Sequence, residues 1–236
     1  MTHDDIAAYF ERWPRHRLAA LGHAENAAGL DLAPMGVPVH FLDAARHPGL
    51  VRAYAEANAR AFPGVLALPG WVLADLYLLP GAITLLLDEA DGIVAAWCGV
   101  PTVVPGEVMG VSLLAEPPGR GAAHVVKRLG VAMMRAHAQR GMTQWTSRSL
   151  RAHTRLGPLE VLGPAPAVHG VADRSFVYRC RVTAVDPLAT ERVDPAMGPA
   201  LAAEAAAGAR LWLVTPGVDD SGRLVVARGP GLNGQP

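Results

Sequence analysis

A mixed α/β fold, with helices packed against a mostly antiparallel sheet, is predicted by three features of this sequence. Two β-rich runs, 82–87 and 93–100, flank the polar turn Asp88-Glu89-Ala90-Asp91-Gly92, which reads as a hairpin; a third run, 106–114, continues the meander. The turn Glu116-Pro117-Pro118-Gly119-Arg120-Gly121-Ala122-Ala123 then delivers this strand into a long amphipathic segment. A second apolar run and a further strand follow that segment, so helices and strands share one core.

Element by element, residues 4–28 read as helix, with Ile6, Phe10, Trp13, Leu18 and Leu21 on one face and a break near Pro14. Residues 37–42 read as a strand that Pro38 assigns to an edge. His47-Pro48-Gly49 opens a helix to about Ala61 carrying Leu50, Tyr54 and Ala57, and Pro63-Gly64 ends it. Residues 71–79 read as a short apolar helix, stopped by Pro80-Gly81, that packs in the core or lines an acceptor or acyl pocket.

Beyond the turn, residues 122–140 read as helix, with Val125, Val126, Leu129, Ala132, Met133 and Ala136 as the buried stripe. His124, Lys127, Arg128, Arg135 and Gln139 lie largely away from that stripe, and Gly141 is the stop signal. Residues 142–147 are then a strand, 149–156 a short helix capped by Ser149 or Ser147, and 175–182 a strand. An alanine-rich helix over 195–209, a strand over 210–214, a turn at Asp219-Asp220-Ser221-Gly222 and a strand over 223–228 complete the chain before a Gly/Pro-rich tail. The expected organisation is a helical N-terminal extension (1–36), a central domain (37–186), a helix-hairpin addition (187–228) and a disordered tail (229–236).

Composition narrows the function. Half of the 236 residues are apolar, enough for a substantial core, and no apolar run approaches the roughly 20 residues a bilayer span needs. The start, Met1-Thr2-His3-Asp4-Asp5, is polar and acidic, unlike a secretory signal, and Cys98 and Cys180 read as reduced and packed; a cytoplasmic protein is expected. Lys127 is the only lysine among 21 basic residues, a bias typical of a GC-rich bacterial genome.

The chain is neutral overall, which disfavours a general affinity for nucleic acid. Residues 106–160 are nevertheless basic: Arg120, Lys127, Arg128, Arg135, Arg140, Arg148, Arg151 and Arg155 face only Glu107, Glu116 and Glu160. A strand that feeds a small-residue turn into a helix start is a ready anion site, because the first helical N–H groups lack intrahelical partners and the dipole adds roughly half a positive charge. A small polyanionic ligand fits this pattern.

Other motif classes fail. Gly119-Arg120-Gly121 has His124 where a dinucleotide fingerprint needs its third glycine, and no Gly-Lys-Ser/Thr or Gly-x-Ser-x-Gly occurs. His124, His137 and His153 lack metal-ligand spacing. Cys98 has no base near it in sequence. Trp71, Trp97 and Trp145 read as core or pocket walls.

The order of elements over about residues 50–182 resembles that of the GCN5-related N-acetyltransferases (GNAT superfamily). In that family a Pro-x-x-Arg-Gly-x-Gly-x-Gly loop joins a strand to the central helix and wraps the pyrophosphate of acetyl-CoA. Pro117, Arg120 and Gly121 match, whereas Ala123 and Val125 replace the later glycines. A shifted register puts Gly121 and Ala123 on Gly-x-Ala and loses the arginine.

The resemblance implies a GNAT-like fold and acetyl-CoA or another acyl-CoA as co-substrate. The amides of Gly121, Ala122, Ala123 and His124, with Arg120, would hold the pyrophosphate, and the strand end Leu113, Leu114 and Ala115 would pair with the pantetheine amides. His153 stands where the family often carries a tyrosine general acid, and Glu107 or Glu116 is the nearest candidate base. The implied activity is acyl transfer to a small-molecule amine, with no nucleic-acid or membrane partner and with a homodimer as a compatible assembly. Two other readings stand beside it: a CoA-binding or regulatory module without catalysis, and an acyltransferase served by an acyl carrier protein, whose acidity would suit the basic segment. The expected acceptor pocket is shaped by the segments before Ala82 and by a loop over 157–173.

Overall fold

The computed structural model describes residues 3–62, 68–89, 92–166, 173–182 and 189–229. Two compact units, 1–136 and 137–236, divide the chain. Both are mixed α/β, with helices on mostly antiparallel sheet.

The first unit opens with α1 (His3–Arg12), followed by β1 (Arg17–Gly22) and β2 (His40–Asp43). The helix expected over 4–28 therefore ends at Arg12. Trp13 N–H still bonds the Tyr9 carbonyl, but Pro14 turns the chain, and Leu18 and Leu21 enter the core from a strand. α2 (Pro48–Ala61) and α3 (Gly70–Leu76) precede the meander β3 (Ile83–Glu89), β4 (Gly92–Pro101) and β5 (Glu107–Ala115), and α4 (Ala122–Met133) follows it. Of the expected hairpin turn, Asp88 and Glu89 extend β3, while Ala90 and Asp91 lie outside the described residues.

Strands run in the order β2-β1-β3-β4-β5, with β1 parallel to β2 and the other pairs antiparallel. Helices cover both faces, as side-chain alternation requires. Leu86, Ala96, Cys98 and Leu114 pack under α2 and α3 against Tyr54, Ala57, Leu73 and Tyr77. The opposite face presents Trp97, fully buried, to α4 at Gly130. A Cβ on Gly130 would fall inside the contact radius of Trp97 Cε3 and 2.5 Å from Cζ3; one on Gly99 would lie 2.7 Å from Cζ3. The indole thus occupies the space that two absent methyl groups leave.

α4 stops at Met133, and β6 (Ala138–Gln144) begins where the sequence pattern still reads as helix to 140. A Schellman closure ends it, with Ala136 N–H on the Val131 carbonyl, Arg135 N–H on the Ala132 carbonyl, and Arg135 left-handed at φ 52°. His124 and Lys127, expected on the solvated face, are buried. α4 has a second cover on that side, the turn at Pro34–Gly36, and Asp31 N–H bonds the Met133 carbonyl.

The second unit holds β6, α5 (Leu150–Leu156), β7 (Leu159–Pro164), β8 (Ser175–Arg181), β9 (Thr190–Val193), α6 (Gly198–Ala206), β10 (Leu211–Val218) and β11 (Leu224–Arg228). Its sheet is antiparallel in the order β6-β8-β7-β10-β11-β9. Gly141 is a strand residue against Tyr178 rather than a helix stop. Trp145 is buried, stacked on Phe176 with centroids 3.9 Å apart and lying over Gly198. The expected loop at 157–173 contains β7 through Pro164, while 167–172 lie outside the described residues, as does most of the tail. β10 and β11 pair as an antiparallel hairpin, and β10 also joins the unit's sheet by pairing with β7 at Trp212–Glu160 and Leu213–Leu159.

Candidate functional site

The candidate donor loop lies between β5 and α4. β5 pairs with β4 at Trp97–Leu113, Ala96–Leu114 and Ala95–Ala115, and the ladder carries one step further through Glu116 N–H to the Val94 carbonyl at 2.8 Å. The turn then reaches Gly121, which sits left-handed at φ 84° and serves as the N-cap of α4. Glycine is the residue that adopts this conformation without a Cβ penalty, and it brings no capping side chain. No acidic residue occupies the first turn. The helix start therefore keeps its partial positive charge without internal neutralisation.

His124 N–H and Val125 N–H both return to the Gly121 carbonyl, at 3.0 and 3.1 Å, and tighten the first turn. The amides of Ala122 and Ala123 precede any intrahelical acceptor, as first-turn amides must. Val125, at the position of an expected glycine, directs its side chain into the core and is fully buried. Its β-branch thus faces away from solvent. Arg120 is exposed, and its guanidinium lies 4.8 Å from the ring centroid of Trp13.

The two candidate carboxylates differ. Glu116 pairs with Arg60 at 3.4 Å on the unit's surface. Glu107 is buried at the start of β5, with Oε1 3.5 Å from the Thr102 hydroxyl, and its backbone N–H bonds the Val104 carbonyl.

His153 belongs to the second unit, on α5. It is buried, with Nδ1 3.0 Å from the Tyr178 hydroxyl, which also receives Gln139 Nε2 at 3.3 Å. Burial raises Tyr178 well above the ordinary tyrosine range, so it stays protonated at neutral pH. Gln139, expected on a helix face, reaches this cluster from β6. Cys98 and Cys180 are both buried, and burial pushes the Cys98 thiol up to about 11, the reverse of what a nucleophile needs. Among the described residues no cluster of metal-ligating side chains occurs, and no helix is long and apolar enough to cross a membrane.

The sequence pattern missed the surroundings of Arg120. Tyr9, Arg12 and Trp13, of which the pattern marks only Trp13 as part of a helical stripe, come together at the end of α1 beside the candidate donor loop. The one signal for this was Pro14, which breaks the stripe at Trp13.

No family model matches the chain, and no curated protein matches it. Solved structures do. A GNAT-family protein from Desulfovibrio desulfuricans is 17% identical over 58% of this chain and 94% of its own, with a TM-score of 0.45. The aminoglycoside 6'-N-acetyltransferase from Enterococcus faecium is 12% identical over 60% and 96%, with a TM-score of 0.45. The ribosomal-protein-S18-alanine N-acetyltransferase from Escherichia coli is 11% identical over 59% and 92%, with a TM-score of 0.44.

Proposed function

We propose that the protein is an acyl-CoA-dependent N-acyltransferase, in its simplest form an N-acetyltransferase, acting on a small-molecule amine. The observation that carries this reading is the start of α4: a left-handed glycine cap with no side-chain partner, no acid in the first turn, and Arg120 immediately before it. Amides and guanidinium together suit a diphosphate. The strand end Leu113–Leu114–Ala115 would orient the pantetheine arm alongside β5.

The neutral amine attacks the thioester carbonyl, the C–N bond forms, the C–S bond breaks, and the thiolate takes a proton. His153 is the assigned donor of that proton, and Glu107 or Glu116, through water, the acceptor of the proton the amine loses. A second reading, donor binding without catalysis, is favoured by the burial of both His153 and Glu107.

Thermal shift with CoA and acetyl-CoA tests the donor site, followed by thiol release across an amine panel. The transferase reading requires stabilisation by CoA and thiol release that His153→Ala abolishes. Stabilisation without release over the whole panel selects the binding module. Arg120→Ala is expected to weaken CoA by about tenfold, the scale of one charge-assisted phosphate contact. Wild-type protein that no CoA ester stabilises refutes both readings.

A further inference from the structure

The turn after α1 is built around one indole. Trp13 N–H bonds the Tyr9 carbonyl at 2.9 Å and His16 N–H bonds the Trp13 carbonyl at 3.1 Å, which fixes the reversal through Pro14 into β1. His16 is buried, with Nδ1 2.9 Å from the Tyr9 hydroxyl and Nε2 3.8 Å from a Glu89 carboxylate oxygen. Its ring stacks on Trp13 with centroids 5.4 Å apart and planes 6° from parallel. α1 and the ends of β1 and β3 thus hold the indole in one orientation.

Two cations gather on that indole. The Arg120 guanidinium lies 4.8 Å from the ring centroid and that of Arg12 lies 5.7 Å from it. Tyr9 completes the junction: its ring edge is 3.9 Å from where a Cβ on Gly121 would stand, and burial pushes its hydroxyl up to about 12. Among the described residues neither Arg12 nor Arg120 forms a salt bridge. An arginine stacked on an aromatic face uses the face of its guanidinium and leaves the N–H edge open for a bidentate anion. Two such groups beside a helix start that has no acidic residue in its first turn concentrate positive charge there, with Glu89 at the far side of the junction on His16.

We propose that Trp13 is a positioning residue that holds Arg120 and Arg12 beside the start of α4, so that both guanidinium groups meet the phosphates of the donor. This rests on the acyl-CoA reading above. A diphosphate carries more charge than Arg120 alone can neutralise, and CoA adds a further phosphate on its ribose. Arg12 supplies the second cation, and the indole removes the freedom that two long side chains would otherwise lose on binding. The N-terminal helix is in this view part of the donor site.

The test measures affinity for acetyl-CoA by calorimetry, and for acetylpantetheine, which lacks the nucleotide and diphosphate, by ligand-observed NMR. Trp13→Leu and Arg12→Gln are each expected to weaken acetyl-CoA by about three- to fivefold, the range of an exposed cation–π or phosphate contact. Acetylpantetheine should bind them as it binds wild type, and Trp13→Phe, which keeps an aromatic face, should retain most of the affinity. Arg12 lies at an exposed helix end, so its variant tests the idea even if Trp13→Leu fails to fold. Unchanged acetyl-CoA affinity in Arg12→Gln and Trp13→Leu overturns the proposal, as does an equal loss for both ligands. Tighter acetyl-CoA binding by Trp13→Leu also overturns it, since the indole would then compete with the ligand for Arg120. Wild-type protein that binds neither ester removes the acyl-CoA reading itself, a result distinct from these.

Discussion

Gly130→Ala isolates the packing that sets α4, and hence the candidate donor loop, on the sheet. Considered as helix propensity alone, alanine should stabilise an internal helical position by about 1 kcal/mol. The structure reverses the sign. The added methyl would overlap Trp97 Cε3 and sit 2.5 Å from Cζ3 and 3.1 Å from Cδ2. The indole cannot slide away, because its far edge already rests where Gly99 lacks a Cβ, with Cζ2 2.8 Å from that point. Overpacking of a rigid core commonly costs about 1–3 kcal/mol, and pinning on two sides places this case at the upper end, for a net loss of about 2 kcal/mol. Urea unfolding, with amide exchange in α4 and β4 to locate the transition, measures it. Trp97→Phe provides the control: it vacates the overlapping atoms, so Gly130→Ala should cost at least about 1 kcal/mol less in that background. A stabilised Gly130→Ala protein, or additive single and double mutants, would refute the assigned contact.

Two further outcomes follow from the same geometry. Arg135→Gly should stabilise the first unit by about 0.5–1 kcal/mol, since it removes the Cβ penalty of a left-handed residue at the C-terminal closure of α4; thermal unfolding reads this, and a loss of stability would contradict the closure. Gly157→Ala should destabilise the second unit by about 2–3 kcal/mol, because a Cβ there meets the Arg181 carbonyl oxygen of β8 and stands 3.1 Å from its carbon, neither of which can rotate away. Slowed amide exchange around α5 in that variant would count against it.

Where local chemistry and tertiary packing agree, the sequence was legible. The meander 83–115 follows from β-branched and leucine-rich runs parted by Asp/Glu/Gly, and the start of α4 follows from its glycine-rich turn. The end of α4 was not legible, because the residue that adopts the left-handed closure is Arg135 and no glycine marks it. β6 was misread for a related reason: Gln139 and Arg140 carry no β-signal, and they are strand residues because Ala138–Gln144 pairs with β8 at seven positions. Lys127 shows the same limit from the side of burial. Its helical phase placed it outside, but α4 is covered by the turn at Pro34–Gly36 as well as by the sheet, a cover that a single-stripe reading cannot anticipate.

The N-terminal segment also constrains how the proposed donor site can be probed. β1 lies between β2 and β3 and pairs with β3 at six consecutive positions, Arg17–Asp88 through Gly22–Ile83. Removing residues 1–36 would strip a fully paired strand, expose the backbone edge of β3 and separate β2 from the sheet, so any loss of CoA binding would report unfolding rather than the role of α1. Ile6 and Tyr9 are buried and anchor the helix, whereas Arg12 is exposed and Trp13 only partly covered. The proposed division between holding the fold and meeting the ligand therefore falls in the last turn of α1 and the residue after it. Under the proposal above, substitutions at Arg12 and Trp13 should change ligand affinity, whereas substitutions at the buried Ile6 or Tyr9 should change the stability of the fold.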